Sequence, residues 1–254
     1  MKLAIIGGSL LKQVNCLANT SEELIKTPFG QPSDHFVSGD IDGLDVVYFN
    51  RHGVSHHIAP HQINYKANMF ALKLLDVTHV IAITAVGGIT EKMSPMKWVL
   101  PDQIIDYTHG RIHTFNDGND KEEVQHIDFS YPFDAGLCDK LASVIRTQGG
   151  DCETSATYGV TQGPRLETVA EIERMQRDGC DIVGMTAMPE AAFARELEMP
   201  YATLSLVVNW AAGKGGSDGA PAEIISMDEI RLRISQGNKL TEEIVQQLAA
   251  RMKN

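Results

Sequence analysis

The chain has 254 residues, 43% of them hydrophobic, and a formal net charge of −11 from 22 Lys and Arg against 33 Asp and Glu. That length can bury one large α/β core, and no Pro/Gly/Ser-rich linker divides it, so residues 1–254 are expected to form one domain. The acidic balance argues against nucleic acid or an anionic membrane as the main partner, because both need clustered Lys and Arg; an anionic ligand must be held by a local pocket. No apolar run approaches the roughly 18 residues of a spanning helix, and the apolar stretch after Met1 ends at Gly7, too soon for a signal peptide. Cys16, Cys138, Cys152 and Cys180 lack C-x-x-C spacing, so no zinc or redox motif is expected. A cytoplasmic chain with reduced thiols follows.

In chain order, Leu3–Ile6, Val46–Phe49, His79–Thr84, Asp181–Val183 and Tyr201–Val208 are short apolar runs that read as strands. Tyr65–Leu75, Asp139–Thr147, Thr168–Arg177 and Pro189–Glu198 carry helical spacing between them. This alternation predicts an α/β fold with a mixed, mostly parallel central sheet flanked by helices. Within the third helix Val169, Ile172 and Met175 are expected in the core. Met227–Met252 repeats Ile230, Ile234, Leu240, Ile244 and Leu248 on one face, a helix or helix pair closing the fold. The small, polar segment Gly213–Pro221 is expected to be a mobile loop.

The chemistry gathers where strands are expected to end. Ile5-Ile6-Gly7-Gly8-Ser9 runs a strand into two glycines and a hydroxyl, a turn able to aim backbone N–H groups at an anion. It is neither G-x-G-x-x-G nor a P-loop with its lysine, and a plain tight turn would read the same. Arg51-His52-Gly53 follows the second strand, with His56, His57 and His61 close behind. No H-E-x-x-H occurs and Arg51 would repel a divalent cation, so an oxyanion such as phosphate fits better than a metal. Thr84-Ala85-Val86-Gly87-Gly88 places a hydroxyl and glycines where the third strand is expected to give out. Three such ends suggest one phosphate pocket. Glu167 and Thr186 stand at element ends, where open α/β sheets meet ligands. The last strand runs into Asn209, whose amide both donates and accepts, or simply caps a turn.

Together Arg51-His52-Gly53 with Pro60 and Asn64-Tyr65, Thr84-Ala85, Thr161-Gln162-Gly163-Pro164-Arg165-Leu166-Glu167-Thr168, and Gly184-Met185-Thr186 with Pro189-Glu190 resemble the trimeric purine nucleoside phosphorylase and methylthioadenosine phosphorylase family. The match covers nearly the whole chain in the right order. The resemblance implies a nucleoside phosphorylase-like fold and reversible phosphorolysis of a purine nucleoside, with inorganic phosphate as co-substrate, no cofactor, and a homotrimer. By similarity Ser9, Arg51, His52, His56, Thr84, Ala85 and Thr186 contact phosphate. Met185 lies beside the ribose, Leu166, Glu167 and Asn209 contact the base, and His126 reaches the neighbouring subunit's site. Asn209, Glu167 and His52 are the residues expected to act on the reacting groups. One departure is Leu10, where the family usually continues its first turn with glycine.

Two further departures bear on substrate. Relatives that take adenine nucleosides typically carry aspartate at the Asn209 position and often a second at the position of Ala211; asparagine instead suits a 6-oxopurine, with Glu167 accepting from N1–H. Members acting on 5′-hydroxyl nucleosides usually place a histidine at the 5′ end, whereas the match here puts Met227 and Ile230 there. The expected reaction is phosphorolysis of S-methyl-5′-thioinosine to hypoxanthine and 5-methylthioribose 1-phosphate. The alternatives are an inosine/guanosine phosphorylase, a methylthioadenosine phosphorylase, and, from a different class, a catalytically silent purine-binding protein.

Overall fold

Strand β1 (Lys2–Gly7) is buried from its second residue onward, as an unbroken apolar run must be when covered on both faces. In the computed structural model, which describes residues 1–116, 118, 124–216 and 224–253, it is followed by β2 (Ala18–Glu23), β3 (Phe36–Ile41), β4 (Leu44–Asn50), α1 (Tyr65–Leu74), β5 (His79–Gly88), β6 (Trp98–Val99) and β7 (Gln103–Asp106). Then come α2 (Ala135–Thr147), β8 (Cys152–Glu153), β9 (Thr157–Val160), α3 (Val169–Arg177), β10 (Ile182–Gly184), α4 (Ala187–Glu196), β11 (Tyr201–Trp210) and α5 (Met227–Met252). The strands join one mixed sheet in the order β2-β3-β4-β1-β5-β10-β9-β7, while β11 branches from β5 and carries β6 and β8.

The pleat sends alternate residues to opposite faces. Ala4 and Ile6 of β1 enter a core with Tyr65 and Met69 of α1 and Phe193 of α4. Leu3 and Ile5 enter the other, with Leu141 of α2 and Leu248 of α5. Among the described residues no helix is long and apolar enough to cross a membrane.

What positions the site is a split in the sheet. On one edge of β5, β1 pairs only His79–Ala82, and β10 joins only at Gly87 and Gly88. On the other edge β11 runs alongside from Val80 to Gly88. Residues 83–86 therefore have no strand partner on one side, and a cavity opens there. Thr84-Ala85 is thus mid-strand rather than at a strand end, because β11 alone suffices to keep β5 extended.

Other expectations also change. Val169 is 48% exposed, since it opens α3 and leans on the Gly213 turn, whereas Ile172 and Met175 are buried. The last element is one helix, and Leu240 is 40% exposed while its neighbour Thr241 is buried. Of the expected mobile loop, residues 217–221 lie outside the described residues. The polar β2 carries no apolar run, and the two-residue β6 and β8 are too short for a pattern to reveal them.

Candidate active site

A cavity of about 450 Å³ is lined by thirteen of the residues singled out above: Ser9, Arg51, His52, His56, Thr84, Ala85, Leu166, Glu167, Met185, Thr186, Asn209, Met227 and Ile230. His126 does not line it; it is exposed. The first turn is built by close approach. A Cβ on Gly7 would stand 2.5 Å from the Leu11 carbonyl oxygen, and one on Gly8 would stand 2.8 Å from Arg51 Nη1. Gly8 and Leu11 bridge through paired backbone bonds, and Ser9 Oγ lies 3.4 Å from His56 Nε2. Leu10 is accommodated without positive φ. It is fully buried and turned toward Gly237 of α5.

Arg51 is 1% exposed and held on several sides. Its Nε and Nη2 donate to the two carboxylate oxygens of Glu190 at 3.0 and 3.1 Å, Nη1 donates to the Ile83 carbonyl at 2.8 Å, and Nη2 makes a longer contact with the Ile6 carbonyl. Burial works against its charge, but Glu190 outweighs burial and holds the guanidinium protonated. Tyr201 donates to the same carboxylate at 2.9 Å. Of the five N–H groups, one on Nη1 remains for the cavity. The Arg51 charge is thus countered within the protein, and a phosphate would be held mostly by neutral donors. Since strand residues two apart face the same edge, Ala85 turns its N–H toward the open side of β5 that Ile83 faces.

His52 supplies a neutral ring. Burial, with Arg51 and His56 adding to it against the Ile58 hydrogen bond, lowers its pKa to about 4. Its Nδ1–H donates to the Ile58 carbonyl at 2.8 Å, so Nε2 carries a lone pair and accepts from a hydroxyl or a protonated phosphate oxygen. Burial, then Lys12 and Arg51, likewise lower the pKa of His56.

The opposite wall is a strap from Thr161 to Thr168. Thr168 and Glu171 form a capping box at the start of α3, and Arg165 grips Glu171 with two bonds of 2.8 and 2.7 Å. Glu167 Oε1 accepts from Thr161 Oγ1 at 2.6 Å, which fixes the carboxylate while leaving its second oxygen for a ligand. Asn209 reaches the cavity through a bulge: β11 slips register between Val207 and Asn209, and such a slip re-aims a side chain. Its Nδ2 donates to the Trp210 carbonyl at 2.6 Å, leaving one N–H and the amide oxygen open. Ala211 lines the cavity beside it.

Sequence reasoning missed Arg111. Its guanidinium donates to the carbonyls of Thr161, Gln162, Met185 and Met188, and to the Gln162 side chain. It clasps the base-side strap to the segment carrying Met185 and Thr186. A second cavity of about 460 Å³ shares Glu167, but its arginines are occupied, Arg165 with Glu171 and Arg174 with Asp178.

The split β5 edge sets small-residue turns and hydroxyls on one side of the cavity and a carboxylate and an amide on the other, an arrangement able to hold an oxyanion beside a polar heterocycle. The family profile described as the phosphorylase superfamily matches residues 2–249, and the chain belongs to that superfamily. It is 47% identical over 234 residues to the probable S-methyl-5′-thioinosine phosphorylase of Pseudomonas syringae pv. tomato, covering 92% of both chains. It is 40% identical over 230 residues to the 6-oxopurine nucleoside phosphorylase of Pyrococcus furiosus, covering 89% of this chain and 86% of that one. The methylthioadenosine phosphorylase of Schistosoma mansoni in complex with adenine shares the fold with a TM-score of 0.92 at 29% identity, over 100% of this chain and 92% of that one.

Proposed function

We infer that the chain catalyses phosphorolysis of S-methyl-5′-thioinosine, releasing hypoxanthine and 5-methylthioribose 1-phosphate. The observation that carries the choice is the joining, in one cavity, of Asn209 and Glu167 to an apolar wall of Ile225, Met227, Ile230 and Ile234. Against these side chains a 5′-hydroxyl finds no polar partner, whereas a methylthio group needs none. The relatives named for thioinosine support this reading.

In the reaction a phosphate oxygen forms a bond to C1′ as the C1′–N9 bond breaks, and that electron pair goes to the purine. No covalent enzyme intermediate is needed, because positioning and the phosphate's own charge stabilise the cationic sugar. Ser9, Arg51, His52, His56, Thr84, Thr186 and the Ala85 N–H hold the phosphate. The leaving purine takes up a proton from solvent at N7; the Asn209 amide oxygen accepts a hydrogen bond from that N7–H while its free N–H donates to the 6-oxo group, and Glu167 accepts from N1–H. No cofactor takes part.

The likeness to 6-oxopurine phosphorylases favours inosine and guanosine as the second reading. Met227→His separates the two. Met227 is half exposed at the cavity wall; an imidazole there would offer a 5′-hydroxyl its partner and crowd a methylthio group, so the inosine to methylthioinosine ratio of kcat/KM should rise by about tenfold or more. An unchanged ratio would place Met227 outside the 5′ pocket.

The working form proposed is a cytoplasmic homotrimer, a setting that suits four unpaired cysteines. In it the exposed His126 completes a neighbour's site in a closed ring. A single-chain mass by sedimentation in an active preparation would remove that part of the reading.

A further inference from the structure

Tyr158 lies on β9 with no exposure, and its hydroxyl oxygen is buried without a hydrogen-bond partner. A buried hydroxyl left unpaired is destabilising, so its retention needs a cause. Its position supplies one. A Cβ on Gly184 would stand 2.1 Å from Tyr158 Oη, and Gly184 is part of the cavity lining; the absent side chain lets the phenol end directly beneath the cavity. Burial pushes its pKa up to about 12, while Arg51 and its polar neighbours Thr84 and Thr186 oppose that rise. The phenol therefore stays protonated and can donate.

Thr186 occupies the N-cap of α4 without using its side chain to cap it. Thr84 Oγ1 lies 2.8 Å from Ser205 Oγ, and either can be the donor. Each threonine hydroxyl has one proton and two lone pairs. Left alone, the Thr84 proton can turn away from the cavity toward Ser205.

We propose that Tyr158 is a positioning residue of the phosphate site: it donates its single O–H to the Thr186 hydroxyl oxygen once phosphate is bound, so that the Thr186 proton points at the anion. The proposal rests on the reading that this cavity binds phosphate. Tyr158 thus gains its missing partner only in the loaded state, and its hydroxyl adds to phosphate affinity rather than to the stability of the free protein.

The test is Tyr158→Phe, with thermal melting measured with and without inorganic phosphate and separate KM values for phosphate and nucleoside. Without phosphate the variant should melt at or above the wild-type temperature, because the oxygen it loses makes no bond. With phosphate its rise in melting temperature should be smaller than that of the wild type. Its phosphate KM should increase several-fold, up to about tenfold, with little change in nucleoside KM. In a Thr186→Val background the same change should have less effect on phosphate KM. Equal phosphate shifts and equal KM values in wild type and variant would overturn the proposal alone. So would a variant that melts lower without phosphate or fails to fold, since either would show a structural bond. A wild type whose melting phosphate leaves unmoved would overturn the phosphate reading and the proposal with it.

Discussion

Arg51 shows how a residue legible in the sequence can still hide its arrangement. The Arg51-His52 pair is visible as an oxyanion motif, but its partner Glu190 lies 139 positions away and gives no local signal. The pair is buried at 1% exposure on both sides. Replacing Glu190 by Gln keeps an acceptor for Tyr201 but strands the guanidinium charge, which should cost about 3 kcal/mol or more by urea unfolding. Combining it with Arg51→Met should recover much of that stability while phosphate binding is weakened by the missing Nη1–H. A Glu190→Gln protein as stable as the wild type would mean that Arg51 does not depend on this carboxylate.

In the proposed reaction Asn209 governs the choice of base. Its free N–H can meet a 6-oxo group, whereas an ionised aspartate offers acceptors only and faces that oxygen with like charge. Asn209→Asp should move the methylthioinosine to methylthioadenosine ratio of kcat/KM by well over about tenfold toward adenine, since sites built on such bonds can discriminate by about 10⁴. Glu167 and Ala211 would keep the switch incomplete. A ratio unmoved in a folded, active variant would remove Asn209 from base selection.

At the scale of elements, the cavity exists because β1 and β10 pair different parts of β5 and leave residues 83–86 open between them. The apolar runs of β1, β4, β5 and β11 could be read as strands because each is buried on both faces. The split could not be read, since hydrogen-bond partnership between strands is written in no single segment. The same applies to Arg111, which binds mainly carbonyls, groups that every residue carries. Arg111→Met would leave several of those carbonyls short of donors and unfasten the Thr161–Thr168 strap from Met185. We expect a loss of about 2 kcal/mol, or about 4 to 8 °C in melting temperature, with nucleoside KM raised more than phosphate KM. An unchanged melting temperature and KM pair would show that the two walls hold together without the clasp.

Across the whole molecule, the net charge of −11 sits uneasily with an anionic co-substrate, and the site reconciles them locally. Its guanidinium is balanced by Glu190, its histidines are held toward the neutral form, and hydroxyls and backbone N–H groups supply the remaining donors. The donors Ser9, Thr84, Thr186 and Asn209 were legible because their side chains carry the chemistry and sit in family motifs. Tyr158 and Arg111 were not, nor was the bond from Thr161 to Glu167, because these groups act on other protein groups rather than presenting an obvious donor to solvent. The most direct measurement is phosphate-dependent release of free base from S-methyl-5′-thioinosine, inosine, guanosine, adenosine and methylthioadenosine under identical conditions. The highest kcat/KM should belong to S-methyl-5′-thioinosine, with hypoxanthine formed only when phosphate is present. Faster cleavage of methylthioadenosine, or base release that does not depend on phosphate, would contradict the assignment.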